Sequence, residues 1–138
     1  MSHGNYFTVS GYSVTSDRSP RGKSHSRAEV GLRIGTEVVR RTATGVGPVH
    51  ALDEALRACL SPYFPEVDGI QLADYRVGVV GSTRGTDANV HVSVTATNGT
   101  RTWDAGCTSD NIVDASFEAL CSTVVMGLMR AEPISSAG

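Results

Sequence analysis

Laid over the first half of the chain, the second half matches it in three blocks that keep the same order. Phe7-x-Val9-x-x-Tyr12-x-Val14 aligns with Ile70-x-Leu72-x-x-Tyr75-x-Val77. Ala28-x-Val30-x-Leu32-x-Ile34 aligns with Ala88-x-Val90-x-Val92-x-Val94, and Ala51-x-x-Glu54-Ala55-Leu56 aligns with Ala115-x-x-Glu118-Ala119-Leu120. The offset stays between 60 and 64 residues. A pattern written twice at nearly constant spacing describes two copies of one supersecondary unit, repeat 1 over about 5–65 and repeat 2 over about 69–131.

The blocks also say what that unit is. Val30, Leu32 and Ile34 alternate with polar residues, as do Val90, Val92 and Val94, which is the period of a half-buried strand. Gly35-Thr36 and Asn98-Gly99 follow these strands and suit tight hairpins, so second strands return over roughly Glu37–Thr44 and Thr100–Cys107. The opening strand of each copy carries a shared irregularity. Apolar parity runs through Phe7 and Val9, then slips by one to Tyr12 and Val14, and it slips again between Leu72 and Tyr75. One extra residue at the same place in both copies predicts a β-bulge that turns the rest of the strand over.

Each copy closes with a helix. In the first, Leu52, Ala55, Leu56, Cys59 and Leu60 form one stripe, with Asp53, Glu54 and Arg57 facing away. Pro48 suits the first turn, and Pro62 and Pro65 stop the helix. The second helix, about Asn111 to Arg130, has Ser109 or Asp110 available as N-cap. It is apolar on more than one face, which fits either a central core helix or one with its sheet on one side and a partner subunit on the other. The expected fold class is therefore α+β: two pseudo-symmetric βββα units, sheets packed with helices, in a single domain of 138 residues with a disordered tail over 132–138.

Composition narrows the function classes. Twelve basic and 14 acidic residues leave a formal charge of −2, which offers no electrostatic footprint for nucleic acid or an anionic membrane. Arg18, Arg21, Lys23 and Arg27 fall in a Ser/Gly/Pro-rich stretch that reads as a phosphate-binding loop or, with no aromatic residues interleaved, as a solvated connection. The three cysteines, Cys59, Cys107 and Cys121, lack metal-ligand spacing. The first residues lack a signal-peptide core, and no run reaches the ~18 apolar residues of a membrane span, so the expected location is cytoplasmic.

No standard catalytic constellation is present: no HExxH, no GxSxG and no GxxxxGK[ST]. No metal site and no cofactor are expected. His3, His25 and His91 are scattered, the last on the strand face opposite Val90 and Val92. His50 sits in the first turn of the first helix, either solvated or within reach of a ligand. The best candidate site is Gly45-Val46-Gly47-Pro48-Val49, a strand-to-helix joint where free N–H groups and the positive end of the helix dipole attract a carboxylate. The bland alternative is a tight turn. Asp87, at a strand start, is the acidic residue best placed to meet an ammonium group, and its bland alternative is turn capping.

Four ordered segments carry a resemblance that covers about Tyr6 to Arg130. They are Gly45-Val-Gly-Pro-Val-His-Ala-Leu-Asp-Glu-Ala-Leu56, Leu72-Ala-Asp-Tyr-Arg-Val77, Gly85-Thr-Asp-Ala88 and Ser109-Asp-Asn-Ile-Val-Asp-Ala-Ser-Phe-Glu-Ala-Leu120. Together they resemble the C-terminal regulatory domain of the α-isopropylmalate synthase and citramalate synthase family. The resemblance implies a homodimer that binds a feedback amino acid, leucine or isoleucine. Carried over by motif, Gly45, Gly47, Pro48 and Val49 would hold the ligand at the helix start, with Tyr75, Val79, Asp87 and Ala88 completing the pocket. The family's catalytic (β/α)₈ barrel has no room here, so acyl condensation by this chain alone is excluded. Cys107, Phe117 and His50 depart from the family's usual aliphatic, tryptophan and small polar residues.

Three functions remain open. The first is a stand-alone amino-acid-binding regulatory module acting in trans on a barrel-type synthase. The second is a regulatory fold repurposed as a small enzyme on a metabolite-like acid, with Tyr75, Asp87 and His50 as acid/base groups. The third is a structural dimerisation subunit with a degenerate pocket.

Overall fold

The computed structural model describes residues 2–3, 6–18, 20, 22, 24–81 and 88–136. The chain divides into two compact units, Met1–Pro65 and Glu66–Gly138. Each is an antiparallel sheet followed by a helix, so the α+β fold of two βββα units is as the repeat predicts, with one two-residue strand added at the start of the first.

In the first unit the strands are β1 (Ser2–His3), β2 (Phe7–Arg18), β3 (Ser24–Ile34) and β4 (Glu37–Gly45), paired in that order. The alternation in β3 is realised: Ala28, Val30, Leu32 and Ile34 are buried while Arg27 and Arg33 are exposed. Helix α1 (Pro48–Leu60) packs on β3 and β4 through Ala51, Leu52, Ala55, Leu56, Cys59 and Leu60. Full burial of Leu52, Leu56 and Leu60 is worth ~1.5–3 kcal/mol each relative to exposure. The Cys59 thiol donates to the Val30 carbonyl (3.4 Å), fastening the helix to the middle strand. One residue of the amphipathic reading is misplaced. Asp53, expected to face solvent, is only 6% exposed, with the Arg57 guanidinium Nε 3.0 and 3.1 Å from its two carboxylate oxygens.

In the second unit a short 3₁₀ turn (Pro65–Gly69) leads into β5 (Gln71–Gly81), β6 (Ala88–Thr97) and β7 (Thr102–Ser109), again paired in order. Helix α2 (Ile112–Ser136) packs on β6 and β7. Val92, Val94, Ala96 and Trp103 are buried on the helix side. The Trp103 indole donates to the Thr123 carbonyl (2.8 Å), and the Arg130 guanidinium lies 5.2 Å from the ring centre. Gly127 makes that approach possible, because a Cβ there would meet Trp103 Cζ2 at 2.7 Å and the Ile70 side chain closer still.

Both bulges fall where the parity slips. In the first unit Val9 pairs with Leu32 and Gly11 with Gly31, so Ser10 is the extra residue. In the second Leu72 pairs with Ala96 and Asp74 with Thr95, so Ala73 is. The bulge lets Tyr75, Val77 and Val79 stand opposite Val94, Val92 and Val90, on the helix side of the sheet.

Two boundaries differ from expectation. The first hairpin turns on Gly35 (φ 64) and Thr36 as expected, but the second is a four-residue loop, Asn98–Arg101. There the Asn98 carboxamide oxygen accepts from the Thr100 and Arg101 N–H groups, an Asx turn that widens the loop. Helix α2 continues to Ser136, into the segment expected to be disordered. Its stretch Ile112–Arg130 is long and apolar enough to cross a membrane by length and composition, contrary to the sequence expectation, and more than half of it is buried in this structure. That burial is the signature of a core helix.

Candidate functional site

The joint between β4 and α1 is built around two glycines with opposite reasons for being there. At Gly45 a Cβ would sit 2.7 Å from the Ala51 backbone nitrogen and 2.7 Å from His50 Nδ1, so only glycine fits where the strand meets the helix. At Gly47, the N-cap, the backbone is extended (φ −153°, ψ 173°) and a Cβ would meet nothing within 4 Å. Packing therefore places no demand for glycine at position 47.

What Gly47 does is leave the helix end bare. Its carbonyl accepts from the Ala51 N–H (3.0 Å), but no side chain among the described residues caps the helix. Pro48 has no N–H, so the amides of Val49 and His50 are the donors at this end. Beside them Val46 is 80% exposed and Val49 half-buried, an apolar border to a polar opening. His50 is tied into the joint: its Nδ1 accepts from the Val46 N–H (3.3 Å), and its Nε2 lies 3.9 Å from the Glu54 carboxylate. The Nδ1 lone pair is thus engaged, which leaves Nε2 as the proton-bearing nitrogen of the neutral ring.

The equivalent end of α2 is closed. The Asn111 carboxamide oxygen accepts from the Val113 N–H (2.9 Å) and the Asp114 N–H (3.2 Å), and the Ser109 hydroxyl accepts from the Asn111 N–H. The cap is therefore Asn111, not Ser109 or Asp110. Sequence reading missed it because three successive residues are all competent caps.

The other site residues lie in the second unit. Tyr75 is 36% exposed, and its hydroxyl is 2.8 Å from Ser116 Oγ. Ser116 spends its single proton on the Ile112 carbonyl (2.7 Å), so Tyr75 is the donor between the two. A phenol committed in this way holds the edge strand to the start of α2. Ser116, which the sequence reading did not single out, is fully buried. Val79 is 75% exposed on the row that α2 leaves open. Ala88 begins β6, opposite Gly81, and Asp87 lies outside the described residues. The enzyme alternative's His50 and Tyr75 belong to different units.

The electrostatics are quiet. Burial pushes the Asp53 carboxyl above its ordinary value despite Arg57. It likewise raises the Cys59, Cys107 and Cys121 thiols, which keeps them protonated and poor nucleophiles. Among the described residues no group of three or more His, Cys, Asp or Glu side chains is gathered to hold a metal.

Comparison with known proteins adds the family. The model of the LeuA allosteric (dimerisation) domain matches residues 1–128. An (R)-citramalate synthase of Geobacter sulfurreducens is 34% identical over 133 residues, covering 96% of this chain and 25% of that protein. An (R)-citramalate synthase of Aquifex aeolicus is 36% identical over 129 residues, covering 92% and 24%. A 2-isopropylmalate synthase of Methanocaldococcus jannaschii is 32% identical over 105 residues, covering 76% and 19%. The chain spans about a quarter of the length of the curated relatives it matches.

Proposed function

Because the chain belongs to the LeuA allosteric (dimerisation) domain family, we propose that it binds a branched-chain amino acid and acts in trans on a barrel-type synthase. The observation that carries this reading is the difference between the two helix ends. Asn111 caps the amides of α2, while the start of α1 at Gly47 carries no side-chain cap. A ligand carboxylate is the natural acceptor for two amides at a positive helix end. Val46 and Val49 border that point with apolar surface suited to a branched side chain. The family resemblance assigns Tyr75, Val79, Asp87 and Ala88 to ligand binding as well, Asp87 for an ammonium group. On the same reading the chain works as a homodimer in the cytoplasm.

Thermal unfolding with leucine, isoleucine and valine tests the proposal. A ligand at about 100 times its dissociation constant stabilises the fold by ~2.7 kcal/mol. Asp87→Ala should remove that response and leave the dimer intact. No shift with any of the three amino acids would sink the sensor and leave dimerisation as the chain's role. Action in trans is read separately, as amino-acid sensitivity conferred on a citramalate synthase barrel when this chain is added.

A further inference from the structure

The face of the first sheet turned away from α1 holds a second feature, independent of the helix joint. A shallow depression of about 300 Å³ is lined by Ser13, Thr15, Arg27, Glu29 and Thr42. The strand register explains why these five meet. Ser13, Glu29 and Thr42 form one cross-strand row over β2, β3 and β4, and Thr15 and Arg27 belong to the next. The five come from three strands, and none of them belongs to the joint at Gly45–Val49.

Their chemistry is selective. Arg27 makes neither an ion pair nor a hydrogen bond among the described residues, so its five guanidinium N–H donors face the depression or solvent. Glu29, two residues along the same strand face, is met among the described residues only by Arg40 at 3.5 Å. Arg40 reaches it by lying across Gly31, where a Cβ would come 3.6 Å from the guanidinium carbon. The depression thus offers one unpaired cation, one weakly engaged carboxylate and three hydroxyls, and its lining is mostly polar. A purely anionic ligand would leave Glu29 repelled, and a purely cationic one would leave Arg27 unused. A zwitterion uses both.

We propose that this face binds a small zwitterion of the α-amino acid class with a short or polar side chain. Its carboxylate sits on Arg27 with the Ser13 and Thr15 hydroxyls, and its ammonium on Glu29 and Thr42. Same-face residues i and i+2 of a strand stand ~7 Å apart, a span that two long side chains close easily around one α-carbon. The predominantly polar lining separates this specificity from that of a branched-chain ligand at the helix joint.

Amide chemical-shift titration of the full chain tests it, with glycine and serine as zwitterions and with acetate and methylammonium as single-charge controls. The expected result is saturable shifts of the Ser13, Thr15, Arg27, Glu29 and Thr42 amides with glycine or serine, at least about tenfold weaker in Arg27→Ala and in Glu29→Gln. Both positions face outward, so the variants should keep the wild-type spectrum elsewhere. Acetate matching glycine, no saturation with any probe, or shifts that persist in both variants would each overturn the proposal. Leucine shifts confined to Gly45–Ala51 report on the other site and bear only on the sensor.

Discussion

At Gly47 an aspartate would place its own carboxylate where the helix amides await an acceptor. Gly47→Asp should therefore stabilise the unliganded chain by about 0.5 kcal/mol, through capping and the helix dipole, while abolishing any leucine-induced thermal shift. A gain in stability without loss of response would mean that the ligand does not use these amides. Asp53 gives a second residue-scale expectation. Its carboxyl titrates above the ordinary 3.8 in the folded state, so the folded state holds its proton more tightly than the unfolded one. The stability it contributes is complete below the unfolded value and is lost as pH rises through the window up to the folded value. Urea unfolding from pH 3 to 6 should show wild type losing ground to Asp53→Asn across that window. Arg57→Met, which leaves the carboxylate buried without its partner, should lose about 3 kcal/mol at pH 7. None of this was legible in the sequence, because an i,i+4 Asp–Arg pair reads the same on a wet surface and in a buried one.

Strands and helices were more legible than their ends. Apolar parity betrayed both bulges, since an inserted residue must flip every later side chain and Tyr12 and Tyr75 record the flip. The entrance at Gly45–Pro48 was visible too, because glycine and proline constrain the backbone wherever they occur. Competition among polar side chains was not visible. Asn98 hydrogen-bonds its own loop open, and Asn111 wins the cap over its neighbours, both through contacts that residue type alone does not rank. The five-residue depression on the first sheet also escaped, since it exists only once three strands take their register. Gly127 is a further element-scale case: a helix glycine normally weakens its helix by about 1 kcal/mol relative to alanine. Here Gly127→Ala should instead destabilise the second unit by about 1–3 kcal/mol through collision with Trp103 and Ile70, read as a lower urea midpoint at unchanged slope.

For the molecule as a whole, the repeat foretold the architecture but not how far its copies have diverged. One copy closes its helix with its own carboxamide and the other leaves the amides open, so the duplication keeps the scaffold while the openings differ. Family membership carries an expectation of self-association. Sedimentation should give a homodimer, and the unfolding temperature should rise with protein concentration, as mass action requires. The edge of the second sheet bears on how far such association runs. Strand β5 lies at that edge, eleven residues long. Where its bulge ends, the Asp74 carboxylate accepts the Tyr75 N–H at 2.9 Å while also holding Arg76. An arriving strand would find a kinked template, a donor already taken and a fixed charge pair beside it. Such an edge discourages open-ended stacking into fibrils yet leaves side-chain docking possible, and an assembly that stops at a finite size is what a dimeric switch needs.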